Sequence, residues 1–326
     1  MRHRPKDLLI CCGLAVLLLT FAEGRSVRHS GNEMSAGWER TLVLAVGNPA
    51  GWLADRLPLA DAASALSKAL KPGEDLSGGG AGSFANAGSR TATAGGVPPV
   101  TPDAFDPRAL GQKPPSPRPL KTVLVTGDSM SQPLDAEVAR SLTPKGIKVF
   151  RDAHIGTGIS DTSLVDWGKL SLLQVKKDRP DAVVMFMGAN EGFPMKVAAG
   201  EVKCCTAAWA AEYAYRARRM MDTYRRGGVA RVFWLLLPAP RSKARQDIAR
   251  VVNAALYTAA SPYRAQVRIL DMGAIFTPGG HYRDAMSVGG REQIVRQADG
   301  VHLNGTGSRL AADRVVAALR GDFTGP

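Results

Sequence analysis

The sequence predicts an α/β fold whose parallel sheet is covered by helices on both faces. From Leu120 onward, short apolar runs alternate with longer helical patterns, and that alternation implies parallel strands joined by helical crossovers. Several of the runs end in polar, glycine-bearing turns. Those turns fall at the carboxyl edge of the sheet, where open α/β sheets place their ligands.

The first strand is Thr122–Thr126, a β-branched and apolar run that stops at Gly127-Asp128-Ser129. Glycine turns the chain without a Cβ penalty, and Asp128 and Ser129 are good helix-starting residues. The further strands are Ile147–Phe150, Ala182–Met187, Arg231–Leu237 and Gln266–Leu270. The helices fall at about Leu134–Leu142, Asp166–Lys177, Ala207–Arg226, Lys243–Ala260 and Thr306–Leu319. Roughly 200 residues suffice for one such domain, here 120–326.

The part before it is organised differently. Arg2, His3, Arg4 and Lys6 precede an uncharged apolar run, Leu8–Ala22, shorter than the ~20 residues of a membrane span. A basic lead and an apolar run read as an export signal or signal anchor over 1–24. Residues 25–70 form a membrane-proximal segment with an apolar patch (Thr41–Val46) and an amphipathic helix (Trp52–Leu70). Residues 71–119 are a Gly/Ser/Ala/Pro-rich linker, from Gly78-Gly79-Gly80 to Pro114-Pro115-Ser116-Pro117, that cannot bury a core of its own.

The net charge of +13 favours nucleic acid as the partner of a cytosolic chain, but an export signal argues against that, and no nucleic acid partner is expected. The segment Ala207–Arg226 carries Arg216, Arg218, Arg219, Arg225 and Arg226. It reads as a solvated helix face, with attraction to an anionic envelope polymer or membrane surface as the functional alternative. Cys204 and Cys205 are adjacent. They offer no zinc spacing and rarely pair with each other, so they are expected as thiols. No metal and no cofactor is expected. Trp167 and Trp209 read as core residues, and His154 as a loop histidine near the second strand.

Chemistry enters with Ser129. A hydroxyl at its ordinary pKa is a poor nucleophile and needs a base. Of the five histidines, His3 and His29 lie outside the domain, which leaves His154, His281 and His302. Only His302 sits in Asp299-Gly300-Val301-His302, where an aspartate three residues ahead can hold the ring and fix its tautomer. Acyl transfer also needs donors for an oxyanion. The third strand ends in Gly188-Ala189-Asn190, and the second leads into Gly156-Thr157-Gly158-Ile159-Ser160.

This set resembles the SGNH hydrolase superfamily, the GDSL-type esterases and lipases. Ser129 in Gly-Asp-Ser matches the first block, Asn190 in Gly-Ala-Asn the third and His302 in Asp-Gly-Val-His the fourth. The second block falls on Gly158, with Gly156 as an alternative, and one alignment puts Ser160 at the glycine's place. Glu191 stands where the family often has Asp, a change not expected to disturb the oxyanion hole. The resemblance implies a three-layer α/β/α sandwich of about five parallel strands, flavodoxin-like in type. It implies a metal-free triad of Ser129, Asp299 and His302, and an oxyanion hole of Ser129 N–H, Gly158 N–H and the Asn190 amide.

The expected activity is an exported, periplasmic serine esterase, tethered to the inner membrane if the signal stays uncleaved. Its substrates would be acylated carbohydrates or other small esters, O-acetyl groups foremost. Transfer of the acyl group to a sugar hydroxyl is the alternative, and an inactive envelope-binding module the third reading.

Overall fold

The computed structural model of the chain describes residues 28, 37–56, 76, 84, 104–113, 115–197 and 200–326. The expected signal, the end of the amphipathic helix and most of the expected linker lie outside the described residues. The chain divides into two compact units. One comprises Met1–Asp75 with Ser242–Ala244, the other Leu76–Arg241 with Arg245–Pro326. In the first unit the helix α1 (Trp38–Arg56) runs through Pro49. It takes in the expected apolar patch and the first residues of the expected Trp52–Leu70 helix, the rest of which lies outside the described residues. Among the described residues no helix is long and apolar enough to cross a membrane.

The second unit opens with the short strand β1 (Arg118–Pro119), followed by β2 (Thr122–Gly127), α2 (Ser131–Leu142) and β3 (Lys148–Ala153). Then come α3 (Trp167–Asp178), β4 (Ala182–Phe186), the hairpin β5 (Met195–Val197) and β6 (Gly200–Val202), and α4 (Ala207–Arg225). The chain continues through β7 (Arg231–Leu236), α5 (Lys243–Ala260), β8 (Val267–Asp271) and the one-turn helix α6 (Gly273–Phe276). It ends with the hairpin β9 (Ala285–Val288) and β10 (Arg291–Ile294), then α7 (Gly305–Asp322) and β11 (Phe323–Thr324).

The central sheet has five parallel strands in the order β3-β2-β4-β7-β8. This is the expected α/β/α architecture with five parallel strands. Because crossovers between parallel strands are right-handed, the step from β2 to β3 places α2 on one face. The reverse steps through β4, β7 and β8 place α3, α4 and α5 on the other. The order reverses between β2 and β4, so the loops after these two strands diverge there and leave a crevice.

The strands are buried because both faces are covered. Val123, Leu124, Val125, Val183, Val184, Phe233 and Leu235 have no exposed surface. Burying each such side chain is worth about 1.5–3 kcal/mol before the entropy cost of ordering it. The helix starts follow the polar residues before them. Asp166, Thr206 and Asn304 each accept a backbone N–H of the first turn. The helix after β2 is different: it starts at Ser131, and neither Asp128 nor Ser129 caps it. Its N-cap position is Met130, without a side-chain cap.

Other expectations are corrected. The linker-like stretch does contribute to a core: Phe84 and Ala104 are buried, and Asp166 N–H donates to Leu76 O at 2.6 Å. The arginines of α4 do not form a solvated face. Arg216 is fully buried between Glu212, Ile159 O and Lys196 O, and Arg225 is buried against Asp222. Arg218 and Arg226 donate to backbone carbonyls of neighbouring elements, so their charge is spent as internal staples. Cys204 and Cys205 are not free thiols but a vicinal disulfide, and the peptide between them is cis. Trp167 and Trp209 are core residues, as expected. The two hairpins have no counterpart in the expected elements.

Candidate active site

The site is built at the carboxyl ends of β2 and β4. Gly127 ends β2 with φ +142°, and a Cβ there would lie 2.0 Å from Phe186 O. Only glycine lets the two strand ends come this close. Asp128 then points back into the fold, fully buried. Its Oδ1 accepts Met130 N–H at 2.8 Å, and its Oδ2 accepts Gly188 N–H at 2.8 Å and Ala189 N–H at 2.9 Å. One carboxylate thereby joins the loop after β2 to the loop after β4. Burial raises its pKa above the ordinary carboxylate value, against the pull of those N–H donors and of His302.

Ser129 follows, with Oγ 2.7 Å from His302 Nε2. His302 Nδ1 lies 2.5 Å from Asp299 Oδ2, and Asp299 Oδ1 accepts the N–H groups of Val301 and His302. The proton on Nδ1 faces a carboxylate, so the neutral ring presents Nε2 as an acceptor to the serine hydroxyl. Burial pushes the Asp299 carboxyl upward, but the hydrogen bonds from the His302 ring and the two N–H groups outweigh it. They hold the acid well below the ordinary range. The three residues that the sequence singles out lie in one hydrogen-bonded line.

The loop after β3 supplies the second side. Gly158 is packed so closely that a Cβ would sit 3.0 Å from Asn190 O and 3.1 Å from Glu191 Oε2. Gly156 faces open space, and the N–H of Ser160 is taken by Glu191. Of the three alternatives for the second block, Gly158 is the one beside Asn190. Among the described residues, the backbone N–H groups of Ser129 and Gly158 donate to no protein acceptor. The Asn190 amide is steered by two long contacts, 3.3 Å to Thr157 O and 3.5 Å to Asp128 Oδ2.

Glu191 lies fully buried behind this loop. It accepts Ile159 N–H at 2.7 Å, Ser160 N–H at 2.9 Å, Ser160 Oγ–H at 2.5 Å and the Tyr213 hydroxyl at 3.1 Å. Burial raises its pKa above the usual value despite these donors, and the Tyr213 hydroxyl is pushed far up by burial and by the same carboxylate. The only hint of this role in the sequence is the acidic residue directly after Asn190.

His154 stands apart from the line. Its Nε2 is 3.1 Å from Asp152, whose carboxyl that contact and the Gln174 amide hold below the ordinary carboxylate range, and its ring meets Trp167 edge-on. His281 lies in the exposed turn after α6. Among the described residues no group of three or more His, Cys, Asp or Glu side chains is arranged to hold a metal ion.

A cavity of about 20 Å³ is walled by Met130, Ala189, Leu237, Pro238, Ile248 and Val301, and none of Ser129, Asn190, Asp299 and His302 lines it. Met130, Ala189 and Val301 are the chain neighbours of Ser129, Asn190 and His302. A much larger groove, about 1110 Å³, opens near the amino ends of β7 and β8 and is lined by none of these residues.

Several solved structures resemble the chain. The peptidoglycan O-acetyltransferase OatA catalytic domain of Streptococcus pneumoniae is 14% identical, with 62% of this chain and 94% of that one covered and a TM-score of 0.38. An inhibitor-bound aryl esterase of M. smegmatis is 15% identical, covering 62% and 100%, at a TM-score of 0.39. A single-substitution variant of an acetyl xylan esterase from Geobacillus stearothermophilus is 12% identical, covering 64% and 97%, at 0.41. Among curated protein sequences there is no match. The strand that carries Gly127-Asp128-Ser129, the loops of Gly158 and Asn190 and the turn of Asp299 and His302 all fall within residues 122–318. That span matches one family model, and the chain therefore belongs to the family described as protein of unknown function DUF459.

Proposed function

We propose that the chain is a serine ester hydrolase of the SGNH type that removes small acyl groups, O-acetyl foremost, from carbohydrate or other small esters. The observation that carries the reading is the contact between Ser129 Oγ and His302 Nε2 at 2.7 Å, backed by Asp299 at 2.5 Å from Nδ1. In this reading His302 Nε2 takes the hydroxyl proton as Ser129 Oγ bonds to the ester carbonyl carbon. The carbonyl electron pair moves onto oxygen, which meets the N–H groups of Ser129 and Gly158 and the Asn190 amide. Each such donor is worth roughly 100- to 1000-fold in rate. Collapse breaks the carbon–oxygen bond to the alcohol, which leaves with the proton from His302. Water then attacks the acyl-enzyme by the same route and gives its proton to His302. That proton passes to Ser129 as the acid is released. Asp299 stays an anion throughout and stabilises the imidazolium.

The basic lead and apolar run at the N-terminus support an exported, periplasmic protein held at the inner membrane. Hydrolysis and transfer to a sugar hydroxyl share the acyl-enzyme, so the test includes an acceptor. The full chain is incubated with aryl acetate and aryl octanoate, with and without an oligosaccharide, and the products are identified. Acetate release that exceeds octanoate release and sugar acetylation supports the reading. Acetylated sugar as the main product would reassign it as a transferase, and preferred cleavage of octanoate would contradict the small acyl group.

A further inference from the structure

The turn that carries Asp299 and His302 is gripped by two arginines that have no part in the acyl chemistry. Arg241, from the loop after β7, donates its backbone N–H to Gly300 O at 2.9 Å and its Nη1 to Ala298 O at 3.0 Å. Gly300 has φ +73°, and a Cβ there would come within 2.6 Å of Arg241 Cβ. Arg296, at the base of the turn, sends Nη2 to Ala239 O at 3.2 Å and to Gly300 O at 3.4 Å. It thereby links the loop after β7 to the turn. Both guanidinium groups lie over the Tyr282 ring, 5.2 and 5.4 Å from its centroid. Arg241 Nη2 also reaches the Tyr282 hydroxyl at 3.1 Å and Asp284 at 2.9 Å, and the Tyr282 hydroxyl donates to Asp284.

Arg296 is only 2% exposed, yet its Nε and Nη1 have no hydrogen-bond partner among the described residues. A buried cation with unpaired donors costs stability, which its two carbonyl contacts and the Tyr282 ring offset only in part. Its contact with Gly300 O, and those of Arg241 with Gly300 O and Ala298 O, fall on the residues on either side of Asp299.

We propose that Arg241 and Arg296 are positioning residues for ester cleavage, a clamp that, with Tyr282, holds the Ala298–Gly300 turn so that Asp299 and His302 meet Ser129 in register. The proposal rests on the esterase reading above.

The test uses the full chain with Arg241→Lys, Arg241→Gln, Arg296→Lys and Arg296→Met. The readouts are kcat and KM on aryl acetate, and the downfield proton resonance of the His302–Asp299 hydrogen bond. Lysine keeps the charge but loses the planar fork. Arg241→Lys is expected to lower kcat on the order of 10-fold with KM unmoved. Arg241→Gln is expected to lose at least as much. Arg296→Lys covers the case in which Arg296→Met fails to fold, and both Arg241 variants should broaden the downfield resonance. An active wild type whose Arg241→Gln and Arg296→Lys variants keep kcat within about twofold, with a sharp resonance, would overturn the clamp. An inactive wild type overturns the esterase reading instead. In that case broadening in the variants still supports the clamp, and an unchanged resonance overturns it.

Discussion

The Glu191 carboxylate accepts both the backbone N–H and the hydroxyl of Ser160 through the same oxygen, at 2.9 and 2.5 Å. Its other oxygen takes Ile159 N–H and the Tyr213 hydroxyl. Four donors from two elements converge on one buried acid, and the Gly158 backbone lies against it. Glu191 is therefore the support that sets where the Gly158 N–H points. A glutamate reaches one carbon further than an aspartate would, and its length is matched here by the loop it binds.

Glu191→Gln should test that support. The amide keeps the shape but turns an NH₂ toward donors that need an acceptor. Loss of a satisfied buried hydrogen bond costs about 1–3 kcal/mol, so unfolding by denaturant should report a loss of that size. The kcat on aryl acetate should fall more than KM changes, because the displaced donor acts on the oxyanion. The pH dependence has a definite sign. Burial raises the folded-state pKa of Glu191 above its unfolded value. Between those two values the folded protein holds the extra proton, so this group's contribution to stability falls as pH rises. The stability of wild type relative to Glu191→Gln should therefore grow as pH drops from neutral toward about 4.3, the ordinary glutamate value. An unchanging difference would remove the burial argument.

Asp299 has the opposite sign. Its hydrogen bonds hold its pKa below the unfolded value, so its stabilising contribution is present above about pH 3.9 and is lost as pH falls through the folded value. It stays ionised wherever the reaction can be assayed. The acidic limb of log kcat/KM should then have a slope near one, from a single proton, and a slope near two would contradict this. Asp299→Asn should keep the fold and lower kcat by roughly 10⁴-fold, because the amide no longer fixes the imidazole tautomer.

Gly127→Ala should damage the protein without touching a reacting group. The new Cβ would meet Phe186 O at 2.0 Å, and φ is +142°. Strain and overpacking at such a site cost about 1–3 kcal/mol, and the strands that carry Ser129 and Asn190 would separate. Thermal unfolding should register the loss, and a melting temperature equal to wild type would show that the strand ends need no such closeness.

The sheet was legible because its evidence is local: β2, β4 and β7 are near-continuous apolar runs that can only be interior strands. The order of Ser129, Asn190, Asp299 and His302 along the chain pointed to one sheet edge for the same reason, since each follows a strand or precedes the last helix. What escaped was long-range. The clamp is scattered over Arg241, Tyr282, Asp284 and Arg296, and nothing in the spacing pairs them before the hairpin β9–β10 folds. The arginines of α4 read as surface because charge periodicity cannot reveal a carbonyl waiting on another element, as Ile159 O waits for Arg216. The vicinal disulfide escaped because disulfide geometry ordinarily fits an adjacent pair badly.

The central claim is that Ser129, activated by His302, attacks an ester. Its most direct test is aryl acetate hydrolysis by the full chain beside Ser129→Ala and His302→Ala, with each variant's fold checked by circular dichroism. The account predicts turnover by wild type that falls by at least about 10³-fold in both folded variants. Turnover that survives Ser129→Ala, or a folded wild type with no turnover and no labelling of Ser129 by a fluorophosphonate, would contradict it.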